Sequence, residues 1–112
     1  MNKYFVVYSM PVAVMDKMMA TTTPEEREAG MGEWRQWMKD HREDFADMGA
    51  PLGKTKRVSA AGVEDVRNEM AGYSIVQANS HEEAAQMLSD SPHLKMEGAT
   101  IDVMNIGEVP PM

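Results

Sequence analysis

The chain has 112 residues, 43% hydrophobic and 26% charged, which suits one ordinary globular domain and excludes a fibre or a disordered tail. It contains no cysteine, so disulfides, thiolate metal sites, iron–sulfur ligation and a cysteine nucleophile are excluded together. Its 18 acidic and 11 basic side chains give a formal charge of −7, a field that repels phosphate backbones and anionic lipid. Neither nucleic acid nor a membrane is therefore expected as a partner. The one oddity of composition is methionine, present 13 times.

The apolar run Tyr4-Phe5-Val6-Val7-Tyr8 is broken by Ser9 and Pro11, far short of the ~18 residues a membrane span requires. Val12 to Met19 contains Asp16 and Lys17 and offers no small-x-small cleavage site, so no secretory leader is expected and the cytoplasm is the expected location. Residues 3–9 read as a strand with apolar side chains on both parities. Pro11 opens a short helix over Val12–Ala20, with Val12, Met15 and Met19 on one face, and Thr21-Thr22-Thr23 ends it.

Thr23-Pro24-Glu25-Glu26 is a strong helix start, with Thr23 as N-cap, Pro24 at the first helical position and Glu26 completing a capping box. The apolar stripe Met31, Trp34, Met38, His41, Phe45 and Met48, widened by Trp37, predicts one long helix closed by Gly49 and Pro51. Gly30 and Gly32 weaken its first turns by roughly 1 kcal/mol each relative to alanine. Lys54–Ala60 reads as a second strand, at an edge or lining a polar cleft, and Gly62–Glu69 as turn-like. Gly72–Ala78 is a third strand, joined to the second as a hairpin with a long loop. Ser80-His81-Glu82-Glu83 starts a helix through Leu88, and Ser91-Pro92-His93-Leu94 stops it. Thr100–Ile106 is the last strand, and the tail over 108–112 is expected to be poorly ordered.

The order β-α-α-β-β-α-β predicts an α+β, ferredoxin-like split βαβ fold over residues 1–112, with a four-stranded antiparallel sheet and helices on one face. In such a fold one face of each strand should be polar, yet the first strand is apolar on both parities, and Ile101 and Val103 oppose Met104 and Ile106 in the last. A homodimer paired through the open sheet face would cover the second set; the alternative is a face left for a different protein.

The motifs Gly72-Tyr73-Ser74-Ile75-Val76-Gln77-Ala78, Ser80-His81-Glu82-Glu83-Ala84, Ser91-Pro92-His93-Leu94 and Ile101-Asp102-Val103 resemble the C-terminal half of the YCII-related domain family. The opening strand with Tyr8, Trp34-Arg35-Gln36-Trp37 and Gly49-Ala50-Pro51-Leu52-Gly53 resemble the rest, so the likeness covers nearly the whole chain. It implies a dimeric α/β-barrel type of ferredoxin-like fold with a cleft between sheet and long helix. One branch of that family pairs a helix histidine with an aspartate near the helix end as an acid/base dyad. The aspartate position corresponds to Asp47, while the histidine position falls near Glu33 or Trp34, neither of which is histidine. The Asp-Gly-Pro-Phe motif of a second branch is replaced by Gly62-Val63-Glu64-Asp65-Val66.

Among the residues themselves, His93 stands in a turn at a helix end, where an imidazole could face a cleft or simply bond the preceding helix. His41 lies on the apolar stripe as a core histidine, and His81 opens a helix in solvent. No HExxH or i, i+4 pairing supports a metal site, and no cofactor is expected. Tyr8, Trp34 and Trp37 could wall a small-molecule cleft or pack the core. Lys54, Lys56 and Arg57 could receive an anionic substrate group or protect an edge strand. Asp47 stands near a helix C-terminus, unfavourable for a carboxylate. The leading expectation is a homodimeric domain that binds a small organic molecule, in its catalytic form using Asp47 and His93 for acid/base chemistry and Tyr8, Trp34 and Arg57 for binding. The alternative is a non-catalytic dimerising interaction module. Met15, Met19, Met31, Met38 and Met48 are expected to fill the core as adaptable side chains.

Overall fold

The β-branched and aromatic run near the start forms the central strand β1 (Asn2–Ser9) in the computed structural model, which describes residues 1–108. The elements that follow are α1 (Val12–Thr21), α2 (Pro24–Asp40), β2 (Phe45–Pro51), β3 (Thr55–Ser59), β4 (Gly62–Val66), β5 (Met70–Ala78), α3 (His81–Met87) and β6 (Thr100–Asn105). Short 3₁₀ turns over Arg42–Asp44 and Pro92–Lys95 follow α2 and α3. Glu108 is exposed and irregular, and the remainder of the tail expected to be poorly ordered lies outside the described residues.

β1 pairs antiparallel with β5 on one side and β6 on the other, and β2 pairs antiparallel with the far edge of β5, giving the order β2-β5-β1-β6. This is the expected ferredoxin-like α+β fold. α2 crosses over between β1 and β2, and α3 between β5 and β6. The capping box at Thr23 forms in full, its hydroxyl accepting from the Glu26 N–H while the Glu26 carboxylate accepts from the Thr23 N–H. Ser80 caps α3 in the same way through the Glu83 N–H.

The second strand is not where the sequence pattern put it. The long helix stops at Asp40, and Phe45–Pro51, read as its last turns, is the edge strand β2. Periodicity could not separate the two, because Phe45 reaches the core from a strand opposite Val76 as well as it would from a helix. The free edge of β5 supplied hydrogen-bond partners that a helix extension would have left unused. Lys54–Ala60 does not pair with Gly72–Ala78; Thr55–Ser59 pairs with Gly62–Val66, previously read as turn, in a separate two-stranded sheet. Ala60 and Ala61 make the two-residue turn and Gly62, at φ 131, leaves it.

Tyr4, Val6 and Tyr8 of β1 meet Val76 and Ala78 of β5, Phe45 of β2, Trp37 of α2, and Ala84 and Leu88 from α3 and its C-cap in one core on the helix side of the sheet. The other face carries Phe5 stacked on Tyr73 (centroids 5.8 Å), Val7, Ile75 and the exposed Met104. The apolar second face read from the parities is therefore present. The radius of gyration is 15.9 Å, against roughly 13 Å for a compact chain of this length. Two elements account for the excess: α1 buries no residue, and the β3–β4 hairpin stands apart from the main sheet. A bidentate pair from Arg67 to Asp16 (3.0 and 2.8 Å) ties α1 to the end of the hairpin.

Of the methionines expected in the core, Met38 packs against it and Met15 is half-buried, whereas Met19 is 82% and Met31 51% exposed and Met48 is also exposed; Met10 is buried instead. The three exposed ones stand where the fold leaves the helix face in solvent or converts it to strand.

Candidate functional site

Tyr8 points from β1 towards the helices because odd and even positions of a strand face opposite ways, and Tyr4, Val6 and Tyr8 share the core side. Its hydroxyl donates to Ser74 Oγ at 3.1 Å, and Ser74 Oγ donates to the Met48 carbonyl at 2.8 Å. This chain of bonds spans β1, β5 and β2. Burial pushes the Tyr8 phenol above its ordinary pKa, with the Ser74 hydrogen bond opposing, so the group stays protonated at neutral pH. Trp34, on the sheet side of α2, meets the Tyr8 ring edge-on at 5.2 Å.

His93 enters from the turn Pro92–Lys95, whose first bond is Ser91 Oγ accepting from the His93 N–H. Only 2% of the residue is exposed. Its Nε2 lies 2.8 Å from the Ser9 carbonyl oxygen, which can only accept, so Nε2 carries the proton. Nδ1 makes no hydrogen bond among the described residues and is not sealed from solvent, so its lone pair is available to whatever fills the adjoining space. The imidazole packs edge-on against Tyr8 at 5.5 Å and lies 6.4 Å from Trp34.

These three aromatic groups stand at one side of a cavity of about 720 Å³ between α2 and the β1–β5–β2 half of the sheet. That volume lies within the range of small-molecule sites. Met10, Met31, Met38, Met48 and Met96 line it, so several of the surplus methionines form an adaptable apolar wall rather than a filled core. The β2 bulge at Gly49-Ala50-Pro51 and the segment Ala71–Ser74 of β5 form the sheet side. At the solvent side stand the exposed Arg35, Lys39 and Arg42.

The structure thus brings together Tyr8, Trp34 and His93. It does not bring Asp47 or Arg57 to them. Asp47 lies on β2 opposite Ile75, exposed, with Oδ1 accepting from the Gly49 N–H at 2.8 Å, and it does not line the cavity. Its assignment to a helix C-terminus fails with the helix itself. Arg57 lies in the separate hairpin opposite Glu64, exposed and away from the cavity. Of its neighbours, Lys56 pairs with Asp65 at 2.7 Å.

Trp37 belongs to the core and donates its indole N–H to Asp90 at 2.9 Å. His41 caps α2 half-buried, with ring nitrogens 3.3 Å from Asp44 and 3.7 Å from Asp90. His81 is exposed, as expected, and also stacks on Tyr4 at 5.1 Å and reaches the Val103 carbonyl at 2.7 Å. Among the described residues no three His, Asp or Glu side chains are grouped to hold a metal ion. The residues missed by sequence reasoning are Arg35, Lys39, Arg42 and Ser74. The three bases step by 4 and 3, a helical spacing visible in the sequence.

No family model and no curated protein matches the chain. Among solved structures it is similar to 5-chloro-2-hydroxyhydroquinone dehydrochlorinase (TftG) from Burkholderia phenoliruptrix AC1100, in complex with 2,5-dihydroxybenzoquinone. The TM-score is 0.50 and the identity 13%, covering 96% of each chain. At that identity the likeness establishes the α+β fold. No helix is long and apolar enough among the described residues to cross a membrane.

Proposed function

We propose that the chain binds a small planar organic molecule in the sheet–helix cavity and that His93 exchanges a proton with it. The observation that carries this reading is the state of one imidazole: Nε2–H is fixed on the Ser9 carbonyl, while Nδ1 is left unpaired beside an apolar cavity. A ligand C–H or O–H directed at Nδ1 gives up its proton to that lone pair, and the electron pair stays on the ligand. The imidazolium so formed keeps its Nε2–H bond to the Ser9 carbonyl, so the ring stays oriented through the transfer. Return of the proton to a different ligand atom completes an isomerisation; loss of a leaving group instead completes an elimination. Tyr8, kept protonated by its burial, and Trp34 offer aromatic surface against which a ring can pack.

The fold neighbour supports the reading to the extent that its name and ligand describe a dehydrochlorinase with a bound six-membered quinone. Within the proposal we place the chain near the YCII-related domains, as a form without the dyad, in which His93 acts without Asp47. We also propose a homodimer closed through Phe5, Val7, Tyr73, Ile75 and Met104, since pairing two such faces would take a contiguous apolar surface out of water. A second reading, an interaction module, draws on the exposed cross-strand pair Val58 and Val63 of the hairpin.

Thermal unfolding with a panel of aromatic and quinonoid compounds, beginning with 2,5-dihydroxybenzoquinone, tests the binding claim. A compound that raises the midpoint of the wild type and not of His93→Ala places its site here. For the proton transfer, His93→Gln should still bind such a compound while losing its exchange of ligand hydrogen with deuterated solvent. Exchange retained in His93→Gln overturns the catalytic role, and compounds that stabilise only through the hairpin favour the interaction module.

A further inference from the structure

We infer that the ligand of this cavity is a planar organic anion, a carboxylate or enolate, whose charge is met by Lys39 and Arg42; this rests on the reading of the cavity as a ligand site. Acids outnumber bases 18 to 11 along the chain, yet the cavity lining carries three bases and no carboxylate. None of the five acids of α2 lines the cavity; Glu26 is held in the capping box, Glu33 by Lys95 at 2.9 Å, Asp40 by the Gln36 amide at 2.8 Å and Glu28 by Arg35 at 2.6 Å. Arg35 is thereby partly neutralised. Lys39 and Arg42 have no side-chain hydrogen bond or ion pair among the described residues.

Two exposed cations without a side-chain partner, beside an apolar wall, supply positive charge that an anion seated against that wall can meet. The same lining offers uncharged groups, the Tyr8–Ser74 hydroxyls and the His93 imidazole. It suits a molecule that carries both an anionic oxygen and an acidic hydrogen. A charge-assisted bond to a guanidinium or ammonium is the strong kind of polar contact, and Arg42 can offer two parallel donors to a carboxylate. The end of α2 supplies a competing cause for bases at these positions, because a helix C-terminus favours cations with or without a ligand.

Matched pairs separate the two causes: benzoate with benzamide, salicylate with salicylamide, and 2,5-dihydroxybenzoquinone, anionic at neutral pH, with its uncharged dimethoxy ether. Affinities are measured by ligand-observed NMR on the full chain at low and high salt. The expected result is a preference for the anion of roughly tenfold or more at low salt, reduced by salt and abolished in Lys39→Gln/Arg42→Gln. Both positions are exposed, so the double variant should keep the wild-type unfolding midpoint. Equal binding of acid and neutral partner overturns the anion inference and leaves the cavity reading intact. A preference that survives in the double variant overturns the role of these two residues. Binding of no member of any pair overturns the cavity reading, and the inference falls with it.

Discussion

Gly49 passes so close to Tyr73 that a Cβ on it would stand 1.7 Å from the Tyr73 carbonyl oxygen. The backbone there is also left-handed, with φ 75, at the bulge where β2 bends against β5 and forms part of the cavity wall. Gly49→Ala therefore meets both a clash with backbone and an unfavourable dihedral, and should lose more than about 2 kcal/mol in urea denaturation. Gly30→Ala is the control. Its Cβ would have nothing within 4 Å, and in a helix interior the change should gain about 0.5–1 kcal/mol.

Tyr8→Phe removes one donor and leaves Ser74 still bonded to the Met48 carbonyl, so it should cost about 1 kcal/mol. Its pH dependence is more telling. Because the folded-state pKa is raised, the Tyr8 contribution is complete below the unfolded value of about 10 and is lost as pH rises through the raised one. Alkaline unfolding curves of wild type and Tyr8→Phe should therefore converge at high pH. Curves that stay parallel would show that Tyr8 ionises as freely as in the unfolded chain.

At the acid end the corresponding group is Asp90. The indole N–H of Trp37 donates to it and holds its carboxyl below the usual range, partly opposed by desolvation and helped by the charge of His41. A lowered pKa contributes stability above the unfolded value of about 3.9 and loses it as pH falls through the lowered one. Asp90→Asn should keep an acceptor for the indole and flatten this acid limb. Asp90→Ala should cost about 1 kcal/mol at neutral pH, since solvent can still reach the freed N–H. Trp fluorescence follows both.

Light scattering tests the proposed pairing of sheets. A mass near twice 12.5 kDa is expected for the wild type, and Ile75→Lys, on the open face between Phe5 and the β2 edge, should return it to 12.5 kDa. A wild-type monomer at micromolar concentration would leave the face without its second copy.

The local signals were legible wherever a short segment carries its own cause. Thr23-Pro24-Glu25-Glu26 and Ser80-His81-Glu82-Glu83 cap helices that start where the sequence said, because a cap is decided within one turn. The parity of β1 disclosed two apolar faces before any sheet was drawn. The segment from His41 to Pro51 was not legible, since a 3-4 spacing of apolar residues is satisfied by a helix and, once bulged at Gly49, by a strand as well. Only the unpaired edge of β5 resolved the choice. Of the hairpin, β3 was legible as the strand over Lys54–Ala60, while β4 and its pairing were hidden for the opposite reason: the hairpin buries neither face, so no periodic hydrophobic pattern was required of it.

The site divides in the same way. Composition, caps and strand parity by themselves determined an α+β split βαβ chain without thiol chemistry, and they marked Tyr8, Trp34 and His93 as residues of interest. Tertiary structure alone decided that these three meet, that the Ser9 carbonyl accepts from Nε2–H of His93, and that Asp47 and Arg57 stand elsewhere. It also placed Arg35, Lys39 and Arg42, rather than the bases of the hairpin, beside a cavity walled by methionine. The reason is physical: propensity and capping act over a few neighbouring residues, whereas a cavity is closed by groups as far apart in the chain as Ser9 and His93, whose meeting depends on which strand edges pair.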